Sequence, residues 1–347
     1  MIAIFLIAAA LMTILIKTGS SSGRWFIWKR SFELWRSHWL SGTGFGTFNT
    51  AFNHIQADHF SHTTLNSKEA MLAYDGYFAF NEWLQFAIET GIAGLLLSLL
   101  LTGITLKACF KNNSGPKSWA AAMLICIFIE AFFSYPFHNL PLLLFSVFLV
   151  TYIVVGNDLV NKKFLLSLRA VVIVLLTGIF IVTAYRSYKI QDQFSRTRTL
   201  YKEGYRNEAL KAAATIDTRM KKDHDFNFFY LQLLYNMNDK EEMIRRFDII
   251  HCYCCDVRIH SLMANCYEEY GDPKKAEEHY LLSLYITPSL LESRMQLAEF
   301  YNRQNKIGEA RYWANEALHF PAKVQSEKVE AIRKKAKDYL ILTSGNK

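Results

Sequence analysis

The chain has 347 residues, of which 51% are hydrophobic and 15% aromatic, and its formal net charge is +8. This hydrophobic share is high for a soluble protein, yet the mean hydropathy is only +0.06, so a polar part must balance it. Long apolar runs fill positions 1–184, whereas the rest of the chain is charged and rich in Tyr, Leu and Ala. The sequence therefore excludes a single soluble domain and predicts a membrane domain, 1–185, followed by a soluble domain, 186–347.

Five apolar segments are candidate membrane helices: Met1–Ile16, Phe86–Leu106, Trp119–Phe137, Leu140–Val155 and Phe164–Tyr185. A hydrocarbon layer of about 30 Å needs about 20 apolar residues, so the first and fourth segments are short. The first is alternatively a signal peptide, although it lacks a basic start.

Lysines in two short loops set the predicted orientation. These loops, at 107–117 and 162–163, belong in the cytoplasm because short cytoplasmic loops are enriched in Lys and Arg. Alternation then places the loop at 18–85, and everything after Tyr185, on the outer side of the membrane.

The outer loop begins with a predicted helix, RWFIWKRSFELWRSHW. Its aromatic residues recur at intervals of three and four, and they are Trp25, Trp28, Phe32, Trp35 and Trp39. This spacing places them on one helix face, with Arg24 and Arg30 off it. The pattern favours an anchor at the headgroup boundary, and the alternative is a basic wall for a phosphate-bearing lipid substrate. The next stretch, SGTGFGTF, follows no strand and predicts a tight turn instead of a nucleotide loop.

A polar cluster directly precedes the second apolar segment. Asn81, Gln85 and Glu89 recur every four residues and share one helix face, while Glu82 lies about 100° away. A carboxylate at the edge of a bilayer suits a general base. The alternative is an ordinary polar helix start, because acidic residues favour the first turn. Glu130, within the third segment, indicates either a functional group or a side chain that reaches the membrane surface.

The soluble domain contains an internal repeat. The matched positions, each 34 residues apart, are Ala264 with Ala298, Tyr267 with Tyr301, and Ala276 with Ala310. This period, with small and aromatic residues at fixed places, is typical of tetratricopeptide repeats. Two clear and two degenerate units with a terminal capping helix predict an α-solenoid whose concave surface binds a protein partner.

The cysteines of the CYCC stretch match no standard zinc-ligand spacing. Two alternatives remain for a domain in an oxidising space. The thiols are buried as small hydrophobic groups, or one of Cys252, Cys254 and Cys255 forms a disulfide with Cys266.

The order of these features resembles the C-terminal half of the O-antigen ligase/polymerase superfamily. The resemblance is carried by Arg24 after a membrane helix, the aromatic helix, the GTGFGTF turn, and NEWLQ leading into ETGIAGLL. The segment Phe132–Pro141, FFSYPFHNLP, resembles the periplasmic turn in the branch of this family with fused helical repeats. The fold implied is all-α, a polytopic transmembrane helical bundle followed by a tetratricopeptide-repeat α-solenoid.

The resemblance implies a lipid-linked-glycan ligase or polymerase of the bacterial inner membrane that uses no cofactor, nucleotide sugar or metal. Such enzymes transfer a glycan from an undecaprenyl-diphosphate carrier to a hydroxyl of an acceptor lipid, glycan or protein on the periplasmic face, with inversion. No nucleic-acid partner is expected. The family also carries several more N-terminal membrane helices, so this chain is expected to be a fragment, a split gene product or a degenerate copy. The competing hypothesis is a non-catalytic, membrane-anchored repeat scaffold for envelope protein assembly.

The resemblance also assigns site residues. The implied catalytic residues are Arg24, which would hold the diphosphate, and Glu82; the implied substrate-binding residues are Arg30, Asn81, Gln85 and Glu89. In the ligases a His precedes the small polar residue of the motif, and that position here is Phe80. Asn81, Gly91 and Gly94 keep the remainder of the pattern. The histidines His54, His59 and His62 are candidates to replace the missing one.

Overall fold

The computed structural model describes residues 18–110, 115–156 and 163–344, and all regular elements within these ranges are helices. The all-α prediction is therefore confirmed. In chain order the helices are α1 (Thr18–Ser37), α2 (Phe48–Ser61), α3 (Lys68–Leu72), α4 (Glu82–Phe110), α5 (Pro116–Glu130), a 3₁₀ turn (Pro136–His138), α6 (Leu140–Gly156), α7 (Lys163–Lys202), α8 (Arg206–Met220), α9 (His224–Asn236), α10 (Lys240–Ile250), α11 (Val257–Tyr270), α12 (Pro273–Ile286), α13 (Leu291–Arg303), α14 (Ile307–His319) and α15 (Glu327–Ser344).

The chain forms two compact units. The first unit comprises Met1–Trp39, Thr43–Ala79 and Lys222–Lys347, and the second comprises Leu40–Gly42 and Phe80–Lys221. The predicted outer loop thus contributes to both units, and most of it packs with the C-terminal helices. The predicted boundary at 185/186, between a membrane domain and a soluble domain, stays a prediction.

In the first unit, buried amides join the loop helix α2 to the C-terminal helices. The Nε2 of Gln56 donates to the carbonyl oxygens of Tyr74, at 2.9 Å, and Ile286, at 2.5 Å. Asn53 Nδ2 donates to the Cys255 carbonyl at 2.6 Å. Both amide side chains are fully buried. Since the bonds to Ile286 and Cys255 are buried and satisfy backbone carbonyls inside the unit, α2 is an integral part of the C-terminal domain's interior.

Four helices of the C-terminal domain begin directly after an aspartate whose side chain accepts a hydrogen bond from the first turn. These aspartates are Asp223, Asp239, Asp256 and Asp272, which precede α9, α10, α11 and α12. Each satisfies a backbone N–H that has no partner within the helix, which fixes the start of the helix.

The α11–α12 pair and the α13–α14 pair are offset by one repeat length, because Val257 and Leu291, like Pro273 and Ile307, are 34 positions apart. All six matched repeat positions (Ala264, Ala298, Tyr267, Tyr301, Ala276 and Ala310) are buried. The two pairs therefore use the same positions to pack. Whether the array is a tetratricopeptide solenoid stays a prediction.

All six cysteines are free thiols. Cys254, Cys255 and Cys266 are buried, whereas Cys252 is exposed. The sequence left two alternatives open, which were buried thiols or a disulfide to Cys266. In the structure Cys254, Cys255 and Cys266 are buried and form no disulfide.

Helix α1 has two apolar faces. One face is buried in the first unit and includes Phe26 and Leu34. Two residues of the predicted aromatic stripe, Trp25 and Phe32, lie on the other face and are 69% and 52% exposed, and Trp39, which follows the end of the helix, is 51% exposed. An exposed Trp-rich face agrees with the predicted anchor at the headgroup boundary, which stays a prediction.

In the second unit, α4 to α6 pack together around a small apolar cluster that includes Leu124 and Ile153. Among the described residues, Glu82–Phe110 is the one helix long and apolar enough to cross a membrane, and Leu140–Ile153 is a shorter apolar helix. The candidate span Met1–Ile16 lies outside the described residues. The other predicted spans fall on α5 and α7 and stay predictions.

Candidate active site

Helix α4 begins at the predicted polar cluster. Asn81 Oδ1 accepts a hydrogen bond from Leu84 N at 3.0 Å and so caps the helix. Glu82, Gln85 and Glu89 are all buried, at 8%, 5% and 6% exposed. Burial of two carboxylates and an amide indicates that these side chains have partners inside the unit.

The main partner of Glu82 is the turn that follows α5. The Glu82 backbone N donates to the Ala131 carbonyl at 2.9 Å. Its carboxylate oxygen Oε1 accepts from Phe137 N at 2.8 Å. Glu82 thus binds both ends of the Ala131–His138 turn, with its backbone at one end and its side chain at the other.

His138 completes the cluster. Its Nδ1 lies 3.1 Å from Oε2 of Glu82, and its Nε2 lies 3.2 Å from Nε2 of Gln85. A carboxylate only accepts hydrogen bonds, so Nδ1 carries the proton in this pair, and Nε2 offers a lone pair to the Gln85 amide. The hydrogen bond to Glu82, together with the charges of Glu82 and Glu89, raises the pKa of His138 above its ordinary value, although burial opposes the shift.

The cluster is closed on one side and open on the other. Trp83 packs against Phe128, Phe132 and Phe137 with ring-centroid distances of 6.2, 5.9 and 6.4 Å. The His138 side chain keeps 37% of its surface exposed. An imidazole oriented by a carboxylate and open to solvent can take a proton from a hydroxyl group at Nε2.

The glycines of the predicted motif have a steric role. Helical geometry is interrupted at Gly91, where φ is 69° and ψ is −167°. There the backbone of Gly42, from the SGTGFGTF turn, approaches so closely that a Cβ on either glycine would lie under 3 Å from backbone atoms of the opposite segment. Gly94 leaves room for the side chain of Thr90.

The two predicted arginines belong to the first unit. Arg24 is half-buried on α1. Arg30 is only 7% exposed, and its guanidinium contacts Glu33 Oε2 at 2.8 Å and His59 Nδ1 at 3.0 Å. Arg30 therefore lies inside the protein, already paired with a carboxylate. Its role in substrate binding, like the role of Arg24, stays a prediction.

The three candidate histidines of the outer loop, His54, His59 and His62, belong to the first unit. His59 contacts Glu69 at 2.9 Å and His62 contacts Asp58 at 3.7 Å, all within the first unit. The histidine beside Glu82 is His138, which sequence reasoning missed. The available signal was its place in the FFSYPFHNLP segment that carries part of the resemblance.

Residues 1–99 match the O-antigen ligase family. No curated protein matches the chain. The matched stretch includes α1, the SGTGFGTF turn and the start of α4 with Glu82, Gln85 and Glu89. The match supports the resemblance to the ligase/polymerase superfamily and a ligase-like function at the family level. O-antigen ligases are membrane-integral proteins.

Proposed function

We propose that this protein is an O-antigen ligase-like glycosyltransferase that acts on a lipid-linked glycan, with His138 as the base that activates the acceptor. The observation that carries the proposal is the contact between His138 and Glu82, a residue that lies at the start of α4 and within the stretch 1–99 that matches the O-antigen ligase family. The resemblance supplies the finer terms of the proposal, which are an undecaprenyl-diphosphate donor, an acceptor hydroxyl and a reaction on the periplasmic face of the inner membrane.

In the proposed reaction the acceptor hydroxyl takes the place of the Gln85 amide at Nε2 of His138. Its proton moves to Nε2 while its oxygen forms a bond to the anomeric carbon of the donor sugar. The bond between that carbon and the diphosphate breaks, and the diphosphate keeps the electron pair. The Glu82 carboxylate accepts a hydrogen bond from Nδ1–H of His138 and stabilises the imidazolium that forms.

The departing diphosphate gains negative charge, which a planar guanidinium can stabilise through two hydrogen bonds. The resemblance gives this role to Arg24. The amides Asn81 and Gln85 and the buried carboxylate Glu89 would position the acceptor. Arg30 is the weaker candidate for substrate contact, because Glu33 already neutralises it.

We further propose that the C-terminal helices are a periplasmic tetratricopeptide-repeat domain. The 34-residue offset of two helix pairs and the burial of all six matched positions support this. Its packing with α2 adds a second role to the binding of partners, which is to hold the outer loop in place.

The decisive experiment measures glycan transfer in vitro from a purified undecaprenyl-diphosphate glycan, at matched protein levels. We expect His138→Gln to lower kcat by a factor on the order of 10² to 10⁴, the usual contribution of a general base. Glu82→Gln should also lower kcat and should move the acid limb of the pH–rate profile to lower pH, because Glu82 raises the pKa of His138. A residue that only supports the fold would leave this limb in place.

Glu130→Gln is the matched control. Glu130 ends α5 beside the same turn, but its side chain is exposed. We expect this variant to transfer at the parental rate with the parental pH profile. If His138→Gln also transfers at the parental rate, the Glu82 contacts are only a structural clamp, and the scaffold hypothesis is favoured.

A further inference from the structure

Helices α7 and α8 enclose a groove in the second unit. Its volume is about 830 Å³. Its lining combines three cations, Arg186, Lys189 and Arg219, with apolar side chains that include Ile181, Val182 and Tyr185. All six of these side chains are exposed. The groove is therefore amphipathic, with basic groups beside apolar ones.

The helical hairpin brings the third cation to the other two. From Arg186 to Lys202, α7 rises about 24 Å at about 1.5 Å per residue. The chain turns at Glu203–Tyr205, and α8 returns about 20 Å from Arg206 to Arg219. Arg219 thus comes back to the level of Arg186 and Lys189 on the neighbouring helix.

No anion within the described residues neutralises these three cations. Arg186, Lys189 and Arg219 form neither a salt bridge nor a hydrogen bond with the described part of the chain, and no acidic residue lines the groove. Farther along α7 the situation differs, since Arg196 contacts Asp192 at 2.9 Å. Three converging cations without a counter-charge attract an anionic ligand from outside the chain.

The apolar side chains point to a lipid as the source of that anion. Ile181, Val182 and Tyr185 are 61%, 49% and 64% exposed, and they lie at the C-terminal end of the apolar run Phe164–Tyr185. Exposed aliphatic residues with a Tyr and Arg or Lys at one end are typical of the level where acyl chains meet phosphates. A soluble phosphate would gain nothing from these apolar contacts.

We propose that this groove binds the phosphate of an anionic glycerophospholipid, with Arg186, Lys189 and Arg219 on the phosphate and Ile181 and Val182 against the acyl chains. The bound lipid would fix the base of the α7–α8 hairpin at the membrane surface. This inference rests on the groove and on the predicted span Phe164–Tyr185, not on the proposed transferase activity.

The test uses the full chain in a neutral detergent and short-chain lipids as probes. Native mass spectrometry would measure the binding of dioctanoyl phosphatidylglycerol, with dioctanoyl phosphatidylcholine as the zwitterionic comparison. We expect phosphatidylglycerol to bind selectively. In the groove variant, Arg186→Gln with Lys189→Gln and Arg219→Gln, its affinity should fall by about 100-fold, on the basis of about five-fold for each cation near a membrane surface.

A control variant removes the same charge elsewhere on the hairpin, with Arg196→Gln, Lys202→Gln and Lys211→Gln. It should keep the parental affinity, and circular dichroism should show both variants folded. Equal losses in the two variants, or equal binding of phosphatidylcholine, would overturn the proposal. Displacement of the lipid by equimolar inorganic phosphate would also overturn it, because the groove would then be a site for a soluble anion.

Discussion

A single methyl group at Gly91 should destabilise the second unit. The backbone there has φ of 69° and ψ of −167°, a conformation that is essentially restricted to glycine. A Cβ at this position would also overlap the carbonyl of Leu40 and the backbone N of Gly42. Gly91→Ala therefore requires either a new backbone conformation in α4 or a displacement of the Leu40–Gly42 segment.

The backbone conformation and the steric overlap together set the expected loss of unfolding free energy. An alanine held in a glycine-only conformation costs about 1–3 kcal/mol, and forcing extra volume into a packed site costs about 1–3 kcal/mol. We expect the free energy of unfolding to fall by about 2–6 kcal/mol. For a unit of this size, such a loss lowers Tm by roughly 5–20 °C.

Gly103 provides the control, because it lies on the same helix and a Cβ there would meet nothing within 4 Å. Gly103→Ala should leave Tm unchanged or raise it slightly, since alanine favours helix more than glycine does. The assay is thermal unfolding of the purified protein in detergent, followed by circular dichroism. A parental Tm for Gly91→Ala, or an equal drop for Gly103→Ala, would refute this reasoning.

Three further predictions concern the first unit. His279 is stacked on His260 with ring centroids 5.1 Å apart, and burial, with Lys275 nearby, lowers the pKa of His279 to about 4. The free energy of unfolding should therefore keep its full value above about pH 6.5, the ordinary pKa of a histidine, and fall by on the order of 3 kcal/mol by pH 4. His279→Phe should flatten this pH dependence, and an unchanged slope of the unfolding free energy against pH would refute the assignment. Gln56→Leu should lower the unfolding free energy by about 2–3 kcal/mol, because the carbonyls of Tyr74 and Ile286, the second of them buried, lose their donor; unchanged protease resistance of the outer loop would count against it. A maleimide should modify exposed Cys252 at least about 100-fold faster than buried Cys255, whose thiol pKa burial raises, as peptide mapping would show. Comparable rates would contradict the described packing.

Local sequence patterns determined the helices and several of their details. The 34-residue repeat identified positions that the structure buries, because the same helix periodicity recurs in each unit. The spacing of Asn81, Gly91 and Gly94 marked a place where a helix is capped, interrupted and closely approached. Such features depend on residues a few positions apart, so they are legible in the sequence.

Tertiary structure alone decided which distant residues meet. Nothing in the sequence pairs Glu82 with His138, joins Gln56 to Ile286, or returns Arg219 to the level of Arg186. The periodicity of α1 indicated an aromatic face, yet the face that packs is the one that buries Arg30. The physical reason is that a helical pattern shows which side chains share a face, whereas the partner that covers this face depends on the path of the whole chain.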